Sequence, residues 1–271
     1  MKMTNIENSM KMIYRTIVAV LLLMLCTPLA ARPAKEKSNA RTFRFMCYNV
    51  RNCKGADNEV SYERVANIIN KQRPLFVGLQ ELDSMTTRYP NQNVLANLAE
   101  MTGMKGTFCR AIEFRGGGYG VGLLSRKRPL SVQRISLPCP REPRVLLVAE
   151  FKECYVMVTH WSLDAAARMR TAEIVNGLVA SLKDKPILLC GDFNARPDEE
   201  SMSVLAKGFR IMVKQGEPYT HPSWEPKKEI DYICVGRNGA GEGVEVSNHR
   251  VLFEPTASDH NPIVADIAFG E

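Results

Sequence analysis

Polar residues able to hold a metal ion and move a proton recur in this sequence at the ends of apolar runs. Asn49 follows Phe43 to Tyr48, Gln80-Glu81 follows Leu75 to Leu79, His160 follows Val156 to Thr159, and Asp192 and Asn194 follow Ile187 to Cys190. Asp231 opens another run, and Asp259-His260 precedes the last. Carboxylate and amide oxygens suit a hard divalent cation. An imidazole beside a carboxylate can hold or transfer a proton near neutral pH. Taken singly, each has an ordinary structural use: an Asn after a strand is a turn former, Asp-Phe-Asn makes an Asx turn, and an isolated His is a satisfied surface residue. Their convergence changes the weighting, because two of only four histidines coincide with carboxylates or amides at five other strand ends.

Such a site needs strands that fix its residues and loops that leave them accessible. Apolar runs of strand character alternate with segments of helical period, which predicts an α/β protein. Strands are expected over 43–50, 75–79, 121–125, 131–137, 145–151, 154–159, 186–190, 230–235, 244–253 and 263–267. Tyr62, Val65, Ile68 and Ile69 recur at helical spacing, Val94, Leu95 and Leu98 suggest a second helix, and 165–182 a third. The strands and turns between Met104 and Thr159 read as one β meander. Gly116-Gly117-Gly118 lacks the Lys-Ser/Thr of a phosphate-binding loop, so it reads as a tight turn before Tyr119.

The chain has 271 residues, 45% hydrophobic and 24% charged, within the globular range, which excludes a disordered, collagenous or coiled-coil chain. Its formal charge is +7, of which Lys2, Lys11 and Arg15 against Glu7 place +2 in the first 31 residues. The remaining excess is mild. It suits phosphates, nucleic acid or lipid headgroups, and equally ordinary solubilising charge. Lys11 and Arg15 followed by the apolar run Ile17 to Cys26, Pro28 and Ala30-Ala31 read as an export signal over 1–31, too short to span a bilayer. Residues 32–40 read as a mobile lead-in and 41–271 as one domain, in a protein expected in the periplasm, on the cell surface or outside the cell.

Seven cysteines follow that signal. Cys47, Cys154, Cys190 and Cys234 sit in apolar runs and are expected to pack in the core. No CxxC pair supports a zinc cluster, and one loop disulfide among Cys53, Cys109 and Cys139 stays open. Trp161 and Trp224 could line a cleft or fill a core or lid, and His221 and His249 read as surface residues.

The ordered series Tyr48-Asn49-Val50, Leu79-Gln80-Glu81, Tyr119 to Ser125, Thr159-His160, Gly191-Asp192-Phe193-Asn194, Ile230-Asp231-Tyr232 and Ser258-Asp259-His260-Asn261-Pro262 resembles the endonuclease/exonuclease/phosphatase superfamily of metal-dependent phosphoesterases over essentially all of 42–269. The resemblance implies a four-layer sandwich, two mixed sheets packed face to face with helices outside. It implies a magnesium or manganese ion held by Glu81, with Asn49 and Asp259 supporting it directly or through water. Asp192 is similar to the residue that orients or deprotonates the attacking water, and Asn194 to one that donates to the phosphate. Asp231 and His260 resemble a carboxylate–imidazole pair, with His160 on the other side of the phosphate, near Tyr119. Arg144 opens a strand where the superfamily often places a phosphate-contacting arginine, a role weighed evenly against a surface salt bridge.

Substrate class follows less directly. Relatives that cut at abasic sites carry Tyr where His160 stands and an Asp where Arg51 stands, and inositol polyphosphate 5-phosphatases carry Trp-Cys-Asp-Arg where this chain has Lys228-Glu229-Ile230-Asp231. The chain therefore reads as an exported, monomeric phosphodiesterase for small or lipid-linked esters, without a stable protein partner. The alternatives are a secreted deoxyribonuclease-like endonuclease and a non-catalytic binding module that kept the fold. The module would be expected to have replaced Glu81, Asp192 or His260, all of which are present.

Overall fold

A computed structural model describes residues 42–90 and 92–270. The export signal at 1–31 and the whole of the lead-in at 32–40 lie outside the described residues. The chain runs β1 (Phe43–Asn49), α1 (Tyr62–Gln72), β2 (Phe76–Ser84), α2 (Val94–Thr102), β3 (Lys105–Phe114), β4 (Gly117–Ser125), β5 (Ser131–Leu137), β6 (Arg144–Glu150), β7 (Tyr155–His160), α3 (Ala165–Ser181), β8 (Ile187–Asp192), α4 (Glu200–Leu205), β9 (Phe209–Ile211), β10 (Asp231–Gly236), β11 (Val244–Val251) and β12 (Ile263–Phe269). A single 3-10 turn at Arg51–Cys53 follows β1.

The strands form two mixed six-stranded sheets, ordered β11-β12-β1-β2-β4-β3 and β5-β6-β7-β8-β10-β9. Alternation along each strand builds the layers, since successive side chains point to opposite faces. On β1, Phe45 and Cys47 join Val158, Leu188 and Ile233 of the other sheet in the central core. Met46 and Tyr48, the intervening residues, pack instead with Val65 and Ile69 of α1 and Leu95 and Leu98 of α2. On the second sheet Met157 and Leu189 turn outward to Ala172 and Val175 of α3 and Leu205 of α4. The expected four-layer α/β sandwich is present. Ser61, Asn93 and Asp164 cap α1, α2 and α3 by accepting from Arg64 N, Ala96 N and Ala167 N.

Where the sheets meet, a Cβ on Gly78 would lie 2.2 Å from Cys190 Sγ, so close approach requires glycine there. Gly116, at φ +80°, makes the β3–β4 turn. The stretch between Met104 and Thr159 is not one meander: β4 pairs with β2 and β3 with β4 in the first sheet, and β5 to β7 lie in the second. Turn signals mark where strands end but carry no information on which sheet a strand joins. All seven cysteines among the described residues are free, including Cys53, Cys109 and Cys139. Cys47, Cys154, Cys190 and Cys234 are buried as expected, and so are Cys53 and Cys109. Trp161 is a core residue, stacked on Phe193 at 4.3 Å, whereas Trp224 is exposed. His249 corrects the surface reading: it is buried, its Nδ1 3.2 Å from Val213 O. Among the described residues, no helix is long and apolar enough to cross a membrane.

Candidate active site

Strand register brings the polar strand ends together. β7 and β8 are parallel with His160 beside Asp192, and β8 and β10 are antiparallel with Asp192 beside Asp231. His160, Asp192 and Asp231 therefore stand in one row across three adjacent strands, all three buried. Asn49 ends β1 in the facing sheet. Its Nδ2 donates to Glu81 Oε1 and to Asp192 Oδ2, both at 3.0 Å, which ties the two sheets together at this end.

Glu81 reaches that position through a break in alternation. The β2–β4 register shifts between Leu79 and Leu82, and Glu81 takes a left-handed conformation at φ 59°. A bulge of this kind redirects a side chain next to a site, and a non-glycine residue held there carries backbone strain. Burial raises the Glu81 pKa; the Asn49 bond opposes this and the nearby Asp259 charge adds to it.

Asp192 is flanked by two imidazoles, His160 Nε2 at 3.4 Å and His260 Nε2 at 3.6 Å from Oδ2, while its Oδ1 accepts from Asn194 N at 2.9 Å. The two histidines differ in charge. Burial, with the Arg144 and His260 charges behind it, holds His160 well below the usual imidazole range. Burial also disfavours charge on His260, but the Asp231 and Asp192 carboxylates outweigh it and raise the pKa to about 10. His260 Nδ1 donates to Asp231 Oδ2 at 2.9 Å. Burial pushes Asp192 upward, moderated by the His260 charge. Ser258 fixes the approach of this loop by donating from Oγ to Asn49 O at 2.7 Å.

The remaining expected residues surround this centre. Asn194, at φ 48°, commits Nδ2 to Trp161 O at 3.1 Å. Asp259 is half-buried with Oδ2 3.5 Å from Arg51 Nε. Tyr119 is half-buried, and burial followed by the Glu81 charge pushes its hydroxyl pKa up. Arg144 is buried and forms a salt bridge with the partly exposed Glu142, while its Nε has no partner among the described residues.

The donor set fits a hard divalent cation at Glu81. Burial and the nearby Asp259 charge each raise the cost of charge on the Glu81 carboxylate, a cost that a cation there would relieve. Asp192, Asp231 and His260 also offer ligand atoms within 4.8 Å of one another, although their Asp231–His260 contact is already an ion pair. Two contributors escaped sequence reasoning. Arg51 neutralises Asp259. His221, read from sequence as a surface residue, is half-buried with its ring 4.8 Å from that of His260. Its local sequence carries no signal of this, because the contact joins segments far apart in the chain.

Residues 46–260 match the model of the Endonuclease/Exonuclease/phosphatase family. Among solved structures, the chain is similar to a mannosyl-6-phosphatase of Bacteroides thetaiotaomicron VPI-5482, with TM-score 0.69 at 18% identity over 84% of this chain and all of that one, 100%. It is also similar to D. rerio TDP2 complexed with single strand DNA product, with TM-score 0.66 at 18% identity over 83% of this chain and 98% of that one. The human Nocturnin catalytic domain with bound sulfate gives TM-score 0.62 at 21% identity over 84% and 94%. At these identities the likeness is one of fold.

Proposed function

The chain belongs to the endonuclease/exonuclease/phosphatase family, whose members are hydrolases acting on phosphate ester bonds, and from that premise we propose that it is an exported, monomeric, magnesium- or manganese-dependent phosphodiesterase for small or lipid-linked esters. The observation that carries the chemistry is the buried Asp192 carboxylate, set between a neutral and a charged imidazole and bridged through Asn49 to Glu81.

Glu81 would hold the ion, with Asn49 and Asp259 supporting it. When bound, the ion offsets negative charge on the phosphate and its oxygens. Asp192 accepts the proton of the attacking water, a task matched to a carboxyl whose pKa burial has raised. Its orientation is fixed by Asn49 Nδ2 on one oxygen and Asn194 N on the other. His260, kept charged by Asp231, donates to a phosphoryl oxygen, and His160, neutral, donates from the other side. Asn194 adds a donor, and Arg144 and Tyr119 complete the phosphate pocket. Fixed donors aimed at developing charge in a site with little water are the main source of rate in such reactions.

The preference for small or lipid-linked esters is supported by the mild charge excess beyond the export signal and by the absence of an arginine-rich arm. A metal-dependence panel tests the whole reading: bis-p-nitrophenyl phosphate, p-nitrophenyl phosphate, plasmid DNA, RNA, sphingomyelin and phosphoinositides. Metal-dependent turnover of diesters with modest salt dependence is expected. Efficient plasmid cleavage that falls steeply with salt, the mark of many phosphate contacts, would favour the nuclease. No turnover with any ester would favour the binding module.

A further inference from the structure

Glu81 lies between two hydrogen bonds made by one short turn. β1 pairs with β2 as far as Asn49 beside Gln80, and the pairing stops there. The segment that leaves β1 supplies the next partners instead. Val50 N donates to Gln80 O at 3.3 Å, and Asn52 Oδ1 accepts from Asp83 N at 2.6 Å. These contacts bracket Glu81 across the bulge, where pairing with β4 passes from Leu79 with Gly122 to Leu82 with Gly120.

The turn itself is strained. Arg51, Asn52 and Cys53 take φ of 46°, 56° and 59°. Three successive left-handed residues without a glycine persist only where surrounding contacts impose them. Each contact of this turn falls on a member of the proposed ion-holding group or on the strand that carries it. Arg51 N donates to Asn49 Oδ1 at 3.1 Å, which turns Asn49 Nδ2 toward Glu81 and Asp192, and the Arg51 guanidinium faces Asp259. Asn52, 3% exposed, holds the Asp83 backbone. The Asp83 side chain is fixed from the other direction: its fully buried carboxylate accepts from Arg88 Nε at 2.8 Å, from Arg88 Nη2 at 2.6 Å and from Thr86 Oγ1 at 2.8 Å. Leu82, the one residue between Glu81 and Asp83, is fully buried in the core beneath α1 and α2. A shift of the Asp83 backbone therefore passes to Glu81, because close packing leaves Leu82 no room to absorb it.

We propose that Asn52 is a positioning residue for the cation: its bond to Asp83 N holds the left-handed backbone of Glu81 and so sets how tightly Glu81, with Asn49 and Asp259, takes a divalent ion. The inference rests on the metal-dependent reading of the site. Partners that orient a metal ligand without touching the metal change affinity by about 10- to 100-fold when removed.

Calorimetric titration of the full chain with Mn2+ reads this without turnover. Asn52→Gly keeps the left-handed backbone accessible and deletes the side-chain acceptor. It should weaken Mn2+ binding about tenfold. Val175→Ala opens a cavity in the other helix layer, under α3, and should bind Mn2+ as wild type does. Linkage supplies a check that needs no variant: if the bond favours the ion, the ion must strengthen the bond by the same factor. Saturating Mg2+ should therefore slow hydrogen exchange of the Asp83 amide by more than it slows that of Val175. Unchanged Mn2+ affinity in Asn52→Gly, equal weakening in Val175→Ala, or an Asp83 amide indifferent to Mg2+ overturns the assignment. If Asn52→Gly does not fold, the exchange result on the wild-type chain decides. A wild-type chain that binds no Mn2+ would remove the metal reading and this inference together, whereas unchanged binding in Asn52→Gly removes this inference alone.

Discussion

His260 Nδ1 donates to Asp231 Oδ2 across 2.9 Å, joining the first residue of β10 to the loop before β12. The bond fixes which ring nitrogen faces Asp192, and the carboxylate keeps the ring charged against the cost of burial. Of the charges acting on His260, that of Asp231 contributes most.

Asp231→Asn should therefore lower activity and move the alkaline limb of the pH–rate profile to lower pH. The sign follows from the carboxylate's effect: without it the folded-state pKa falls from about 10 toward the ordinary imidazole value, so the ring loses its proton earlier as pH rises. His260→Ala should cost about as much as the double variant, because the two groups act as one unit. Additive losses in the pH–rate data would separate their roles.

Glu81 and Asp192 should fail differently. Glu81→Ala should shift the metal concentration needed for half-maximal activity, whereas Asp192→Asn should lower turnover about a hundredfold or more at saturating metal. Excess chelator should abolish wild-type activity. Full activity with chelator, or near-native turnover in Asp192→Asn, would contradict the assignment.

What the sequence discloses about this site depends on how local the cause is. His160, Asp192 and Asp231 were legible because apolar runs end just before them or begin at them, and register then aligns the ends of neighbouring strands. Asn49 was legible as a strand end, but its bridge between Glu81 and Asp192 spans two sheets. The Glu81 bulge was not legible, because nothing about a glutamate announces a left-handed backbone. His221 and His249 were misread for a related reason: a histidine among polar neighbours in the sequence looks exposed until distant segments fold over it. Between 104 and 160 β4 to β7 were found and β3 (Lys105–Phe114) was not, and the division of these strands between sheets depends on long-range pairing that turn chemistry does not encode.

His249 gives a stability prediction that is independent of catalysis. Burial, with the Lys214 charge, lowers its pKa to about 4, against about 6.5 in the unfolded chain. Above pH 6.5 both states leave the ring neutral and the group has no effect. Between pH 6.5 and 4 the unfolded chain takes up a proton that the folded protein refuses, so stability falls by on the order of 3 kcal/mol across that window. His249→Gln should remove this part of the acid sensitivity. Denaturant melts of both proteins at pH 7 and pH 4.5 measure it; an unchanged difference between the two pH values would mean that the ring accepts its proton in the folded state.

The contact between the sheets at Gly78 makes the last prediction. A methyl group there would press on Cys190 Sγ at 2.2 Å and on both Val158 γ-carbons at 3.2 Å. Both neighbours lie on the second sheet within the central core, where neither can move toward solvent. Gly78→Ala should therefore destabilise the fold by about 1–3 kcal/mol, the usual cost of overpacking. Cys190→Ala removes the atom in closest conflict while leaving a small cavity in the wild-type background. The double variant should thus be more stable than the sum of the two single losses, a coupling that chemical denaturation of all four proteins reads directly. Strict additivity would mean that the sheets separate locally to admit the methyl, and Asn49's bridge to Asp192 at the end of the same interface would then be the place to look for lost activity.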